Sequence, residues 1–167
     1  MTRCLLLVLV LATAAVASER FPLKVSLLDL AIGPTTGGSS GPFLIVPLSL
    51  LEVAVGASLG SRFSAAVGTS VLAGNLLSDV AFLPVRGYLF YDLSKPRPWR
   101  RSAAFVSVVF MHSAMDGWSG AQIGSYMKLS CGASYTFYAM TPHVELGYDW
   151  YRRFATLTAG VAVGGLY

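Results

Sequence analysis

Along most of the chain, apolar and polar residues take turns. From Tyr126 to Ala139, Met127, Leu129, Cys131, Ala133, Tyr135, Phe137 and Ala139 interleave with Tyr126, Lys128, Ser130, Gly132, Ser134, Thr136 and Tyr138. A strand sends successive side chains to opposite faces, so this period of two predicts a strand with one greasy face and one polar or small face. Val144, Leu146, Tyr148 and Trp150 alternate in the same way with Glu145, Gly147, Asp149 and Tyr151. Phe63, Ala65, Val67, Thr69 and Val71 alternate with Ser64, Ala66, Gly68 and Ser70. From 81 to 92, Ala81, Leu83, Val85, Gly87, Leu89 and Tyr91 form the apolar set, and Phe82, Pro84, Arg86, Tyr88, Phe90 and Asp92 the inner one. The last segment places Leu157, Ala159, Val161, Val163, Gly165 and Tyr167 on one face and Thr156, Thr158, Gly160, Ala162 and Gly164 on the other.

Clusters of Gly, Pro, Ser, Asn and Asp break the pattern near 33–42, 60–62, 74–79, 94–98, 116–120, 141–142 and 152–153. They divide the chain into eight strands near 21–32, 44–59, 62–73, 80–93, 102–114, 122–139, 143–151 and 154–167. Leu27 to Ala31 and Leu48 to Leu51 fit poorly and predict a face switch or a bulge. Residues 104–111 are apolar on both faces, which places Phe105, Val109 and Met111 inside.

Composition then decides which medium the greasy face meets. Of the 167 residues, 54% are hydrophobic and only 12% charged, where a soluble domain is about a quarter charged. Mean hydropathy is +0.63. Disordered chains are polar and charged, so disorder is excluded. Twelve cations spread among eight anions make no dense basic patch, which argues against a nucleic-acid partner. A helical membrane protein is the alternative. Its best spans, 43–59 and 63–85, contain Pro47, Glu52 and Gly56, and Gly68, Gly74, Asn75, Asp79 and Pro84, none of which suits a lipid-exposed helix.

The N-terminus carries a separate signal. Arg3, the apolar run Leu5 to Leu11 and the small-x-small site Ala15-Val16-Ala17 form a secretory signal peptide over 1–17, too short to span a bilayer. Removing it leaves 150 residues (167 − 17), net charge +3 (11 − 8) and one cysteine, Cys131. In hydrocarbon no strand edge can stay unpaired, so an alternating membrane sheet must close. The expected fold is all-β: a closed antiparallel eight-stranded transmembrane β-barrel over 18–167.

With the polar faces inward, Lys24, Glu52, Arg86, Lys128, Glu145 and Asp149 enter the lumen, three of each sign. Eight strands enclose a space that side chains fill, and an unpaired ion there costs several kcal/mol, so a salt-bridged plug is expected rather than an open pore. Phe82, Tyr88, Phe90 and Tyr126 add bulk to it. Lys95, Arg97, Arg100 and Arg101 form a basic turn, and Trp99, Trp118 and Trp150 are candidates for interfacial girdles.

Chemistry is sparse. His112 and Ser113 beside Asp116 are the only candidates for a hydrolytic site. As neighbours on a strand they point to opposite faces, whereas outer-membrane lipid A deacylases, the enzymes they resemble, typically carry His and Ser two apart. His143 and His112 are some thirty residues apart with no thiol near, so no metal site is expected. No cofactor motif is present in the sequence.

The C-terminal run Phe154-Ala-Thr-Leu-Thr-Ala-Gly-Val-Ala-Val-Gly-Gly-Leu-Tyr167 and the hairpin Ser134 to Tyr151 resemble the small outer-membrane β-barrel proteins of diderm bacteria, the class of the OmpA transmembrane domain and OmpX. The resemblance implies an outer-membrane location, periplasmic termini and a structural or surface-interaction role for a monomer in contact with membrane lipids. It implies that the barrel-assembly machinery reads Val161, Val163 and Tyr167, although Phe is commoner than Tyr at the last position. It also implies that 33–42, 74–79, 115–121 and 152–153 face outward, and that 60–62, 94–101 and 140–142 face the periplasm.

Overall fold

A computed structural model of the chain describes residues 23–36, 44–75, 79–95, 100–116, 121–151 and 153–163. These residues form strands: β1 (Leu23–Thr36), β2 (Leu44–Ile45), β3 (Pro47–Ser58), β4 (Phe63–Asn75), β5 (Asp79–Phe82), β6 (Val85–Asp92), β7 (Arg100–Asp116), β8 (Gln122–Phe137), β9 (Met140–Asp149) and β10 (Phe154–Val163). No helix occurs among the described residues. Residues 1–17, where a signal peptide is expected, lie outside them.

Every neighbouring pair is antiparallel. The order runs β10-β9-β8-β7, then β5 and β6 in turn, then β4, β3 and β1. β1 in turn pairs with β10, from Leu28 opposite Val163 to Thr36 opposite Ala155, so the hydrogen-bonded ladder forms a ring. β2 and β3 are one pass interrupted at Val46, and β5 and β6 one pass interrupted at Leu83 and Pro84. The ten strands thus make eight passes, close to the eight expected segments.

The ring is inverted relative to a water-soluble domain. Val67, Leu89, Val106, Leu129, Val144, Leu146 and Leu157 are exposed on its outer wall, while Glu52 and Asp149 are each 1% exposed inside it. Alternation produces this directly, because each pass turns one face out and the other in. Phe105, Val109 and Met111 are buried, as their two-faced apolar run implied.

Several passes change phase, and each change has a backbone cause. Leu27 and Leu51 drop out of the register between the pairs Ser26–Glu52 and Leu28–Leu50, and Leu51 has φ 48°. Leu27, Leu28, Leu50 and Leu51 therefore all face outward. Leu83, at φ 50°, corrects the expectation at Phe82: Phe82 is 56% exposed, and Ala81 takes the inner place. Tyr138 is also exposed, because with φ 52° it opens the turn that pairs Phe137 with Met140. The turn is thus Tyr138–Ala139, and Thr141 and Pro142 belong to β9, opposite Ala162 and Val161.

Candidate functional site

The densest chemistry lies inside the ring. Arg86 on β6 reaches across the inside to two strands it does not pair with, β3 and β9. Its Nη2 donates to Glu145 Oε2 at 3.3 Å, and its Nη1 lies 3.8 Å from Glu52 Oε2. The guanidinium carbon sits 5.0 Å from the centroid of the Tyr88 ring. The Tyr88 hydroxyl donates to Glu52 Oε1, so this carboxylate is held from both sides. Alternation puts Arg86 and Tyr88 on one face of β6, and the ring brings β3 and β9 within reach of that face.

A second pair, Lys128 Nζ and Asp149 Oδ2, lies 3.6 Å apart between β8 and β9, where the two residues stand opposite in register. Asp149 Oδ1 also accepts from the N–H of Tyr151 at 2.9 Å, which fixes the chain as it leaves β9. The Lys128 ammonium lies 5.7 Å from the Tyr126 ring centroid, a cation–π contact.

Two further pairs were not anticipated. His143 Nε2 lies 3.6 Å from Asp29 Oδ1 across the inside. Asp29 points inward because the Leu27–Leu28 doublet shifts the phase of β1. Arg101 Nε donates to Asp92 Oδ1 at 2.6 Å, and Arg101 Nη2 donates to Ser64 Oγ at 2.9 Å. This corrects the placement of Arg101 in a solvated turn: β7 begins at Arg100, and its alternation turns Arg101 inward. The signal for it was present in the sequence, since Ala103, Phe105 and Ser107 continue the same inner face.

The structure brings Glu52, Arg86 and Glu145 together and sets Lys128 against Asp149 in a separate pair. Lys24 stands opposite Ala54 in the β1–β3 register, but its side chain lies outside the described set. A cavity of about 100 Å³ touches Asp29, Glu52, Arg86, Lys128, Glu145 and Asp149. Sites for drug-sized ligands run to about 300–1,000 Å³, so this one is too small for such a ligand. Ser49 Oγ and Arg86 Nε are buried without a hydrogen-bond partner among the described residues.

His112 and Ser113 do not behave as neighbours on a regular strand. The β7–β8 register shifts between Met111 and Ala114, and Ser113 has φ 54°. Both side chains are exposed as a result, which corrects the expectation of opposite faces. The hydroxyl within reach of the imidazole is that of Ser125, with His112 Nδ1 to Ser125 Oγ at 3.0 Å. The side chain of Asp116 is outside the described set. Among the described residues no three His, Cys, Asp or Glu side chains converge as a metal site would require. Cys131 is a free, exposed thiol on the outer wall.

On β10, Val163 is 39% exposed and Val161 half-buried, and Tyr167 lies outside the described residues. Trp150 is 54% exposed and meets Tyr148 edge-on at 5.1 Å, while Trp99 and Trp118 are outside the described residues.

With the ring and its filled interior in view, one solved structure bears comparison. Its coordinates match this chain with a TM-score of 0.54, over 86% of this chain and 96% of the other. The fold is similar to that of Neisserial surface protein A. The two share 13% identity, so the likeness is one of fold. No protein-family model matches the sequence, and no curated relative matches it either.

Proposed function

We propose that this chain is a small outer-membrane β-barrel protein, exported by a cleaved signal peptide at 1–17 and closed across the bilayer by its β1–β10 seam. Its role is structural or surface-interacting, and its lumen is plugged by side chains. The observation that carries this reading is the inversion of the ring: leucines and valines on the outer wall, ion pairs within. In water such a surface would aggregate, and in hydrocarbon such an interior needs its charges paired. The fold likeness to a protein named as a surface protein supports the same location. Recognition of Val161, Val163 and Tyr167 by the barrel-assembly machinery, a monomeric state and contact with outer-membrane lipids belong to this proposal.

Cys131 supplies the test, since it faces the outer wall midway along β8. In lipid vesicles the mature chain is expected to react with an apolar maleimide and to resist a charged, water-soluble one. Rapid labelling by the charged reagent in the folded state would overturn the membrane reading. In planar bilayers the plug predicts no steady open-pore current. A stable conductance at neutral pH would overturn the plug alone, because channels need a wide lumen lined by one sign of charge.

The 3.0 Å contact between His112 and Ser125 keeps an enzymatic reading in play, with Ser125 in place of Ser113 as the nucleophile. The structural role is preferred because the inverted ring accounts for every described pass, whereas this contact is one exposed pair. Loss of a lipid-deacylating activity in Ser125→Ala, with Ser113→Ala unaffected, would reverse that preference.

A further inference from the structure

At the end of the ring that carries the β6–β7 turn, Ser94, Lys95, Arg100, Arg101, Ser102 and Tyr135 line a recess of about 250 Å³. Ser102 and Tyr135 are register partners on β7 and β8, and antiparallel partners share a face. Tyr135 is exposed on the outer wall, so the recess opens outward and away from the filled interior. Leu93 and Phe137, both exposed, stand beside it, and Tyr138 and Met140 continue the exposed apolar wall at the same end. The recess therefore has apolar wall on one side and the polar residues Ser94, Lys95 and Ser102 on the other.

Among the described residues its charge is uncompensated. The Arg101 guanidinium is already engaged inward by Asp92. Lys95 and Arg100 are exposed, and neither meets a carboxylate among the described residues. Arg100 lies over the Phe137 ring at 5.5 Å, which holds its planar fork against the wall. Ser94 Oγ and Ser102 Oγ share a hydrogen bond at 2.7 Å, which places two hydroxyls beside the two cations. A guanidinium, an ammonium and paired hydroxyls form a donor set suited to phosphate oxygens.

We infer that this recess binds the phosphate of a lipid headgroup in the adjoining leaflet. Lys95 and Arg100 neutralise the phosphate, whichever serine of the Ser94–Ser102 pair accepts in their shared bond donates its own O–H to a phosphate oxygen, and the acyl chains lie along the exposed wall beside Leu93, Tyr135 and Phe137. The inference rests on the membrane reading above. A water-filled turn needs neither the recess nor the hydroxyl pair, and the apolar positions beside it favour a ligand with a hydrocarbon tail over a free anion.

The test uses the mature chain in a phosphate-free detergent, with bound lipid read by native mass spectrometry. The probes are phosphatidylglycerol, diacylglycerol with the same tails, and inorganic phosphate. Wild type is expected to retain phosphatidylglycerol roughly thirtyfold better than diacylglycerol, the scale set by two cations at about 1 kcal/mol each at an anionic interface. The double variant Lys95→Gln/Arg100→Gln is expected to lose that preference, and Arg100→Lys to keep most of it. Arg153→Gln, beyond β9 at the opposite end, is expected to leave it unchanged. Lys95 and Arg100 are exposed, so the substitutions spare the packing, and a retained heat-modifiable gel shift confirms folding. An undiminished preference in the folded double variant overturns the site. Inorganic phosphate binding as tightly as the lipid overturns the lipid assignment. If Cys131 resists charged maleimide while the double variant keeps its preference, only this inference falls and the membrane reading stands.

Discussion

Arg86 links two carboxylates on different strands, and its removal leaves both without that cation. Breaking a buried ion pair by deleting one partner costs about 3–5 kcal/mol. Arg86→Met is therefore expected to lower unfolding stability by that order, measured as a shifted urea midpoint in vesicles. The triple replacement of Arg86, Glu52 and Glu145 by apolar residues of similar size should recover most of the loss, since no charge is then stranded. A loss as large in the triple variant as in the single one would count against the pairing. Gly132 is equally constrained: a Cβ there would overlap the Val144 carbonyl oxygen and come within 2.9 Å of Phe105 Cζ. Gly132→Val is expected to cost about 1–3 kcal/mol through overpacking, read in the same urea titration. At this scale much was legible. Arg86, Lys128, Glu145 and Asp149 each fall on the polar side of a clean alternation, which is why their inward direction could be read, and Glu52 opens the alternation that resumes after the Leu50–Leu51 doublet. Asp29 and His143 could not be paired from sequence, because Asp29 follows a leucine doublet that resets the count.

Element by element, the passes followed the alternation until one residue took a left-handed backbone conformation. Leu51, Leu83 and Ser113 all have positive φ, and the first two fall where apolar residues come in pairs. At Leu51 and Leu83 the pairing register is the same on both sides and only the face changes, whereas at Ser113 the register itself shifts, as at a bulge. The Leu27–Leu28 and Leu50–Leu51 doublets announced such a switch, whereas Phe82–Leu83 was read straight through and gave the wrong face. Arg101 was missed for a related reason: a run of basic residues after Pro98 looks like turn, although the inner face of β7 already begins there. The β1–β10 seam depends on close contact. At Gly160 a Cβ would lie 2.5 Å from that of Ala31 and 2.6 Å from the Leu30 carbonyl oxygen. Gly160→Val is expected to prevent pairing across the seam, seen as loss of the fast-migrating folded band on an unheated gel. A wild-type mobility shift in that variant would show that the seam tolerates separation.

For the molecule as a whole, the decisive quantity is which side of the wall a charge occupies. Leu129 is exposed on the outer wall, while its chain neighbours Lys128 and Ser130 turn inward. Leu129→Arg is expected to cost about 2–4 kcal/mol if Leu129 lies near mid-bilayer, and Val163→Arg, at the end of β10, well under half of that. Equal effects at the two positions, measured by unfolding in vesicles, would contradict a hydrocarbon belt. The inverted distribution of side chains was visible in the sequence because most strands repeat it; the shape of the basic recess was not, because that surface depends on how β6, β7 and β8 end beside one another.

The pairing of Leu28 with Val163 joins positions 135 apart (163 − 28). Contacts so distant along a polypeptide cost more loop-closure entropy than the hairpins and form more slowly. The fastening of the first pass to the last is therefore expected to follow the hairpins in folding. Until β10 arrives, every precursor presents two raw edges with open N–H and C=O groups, and it must be shielded by something other than itself.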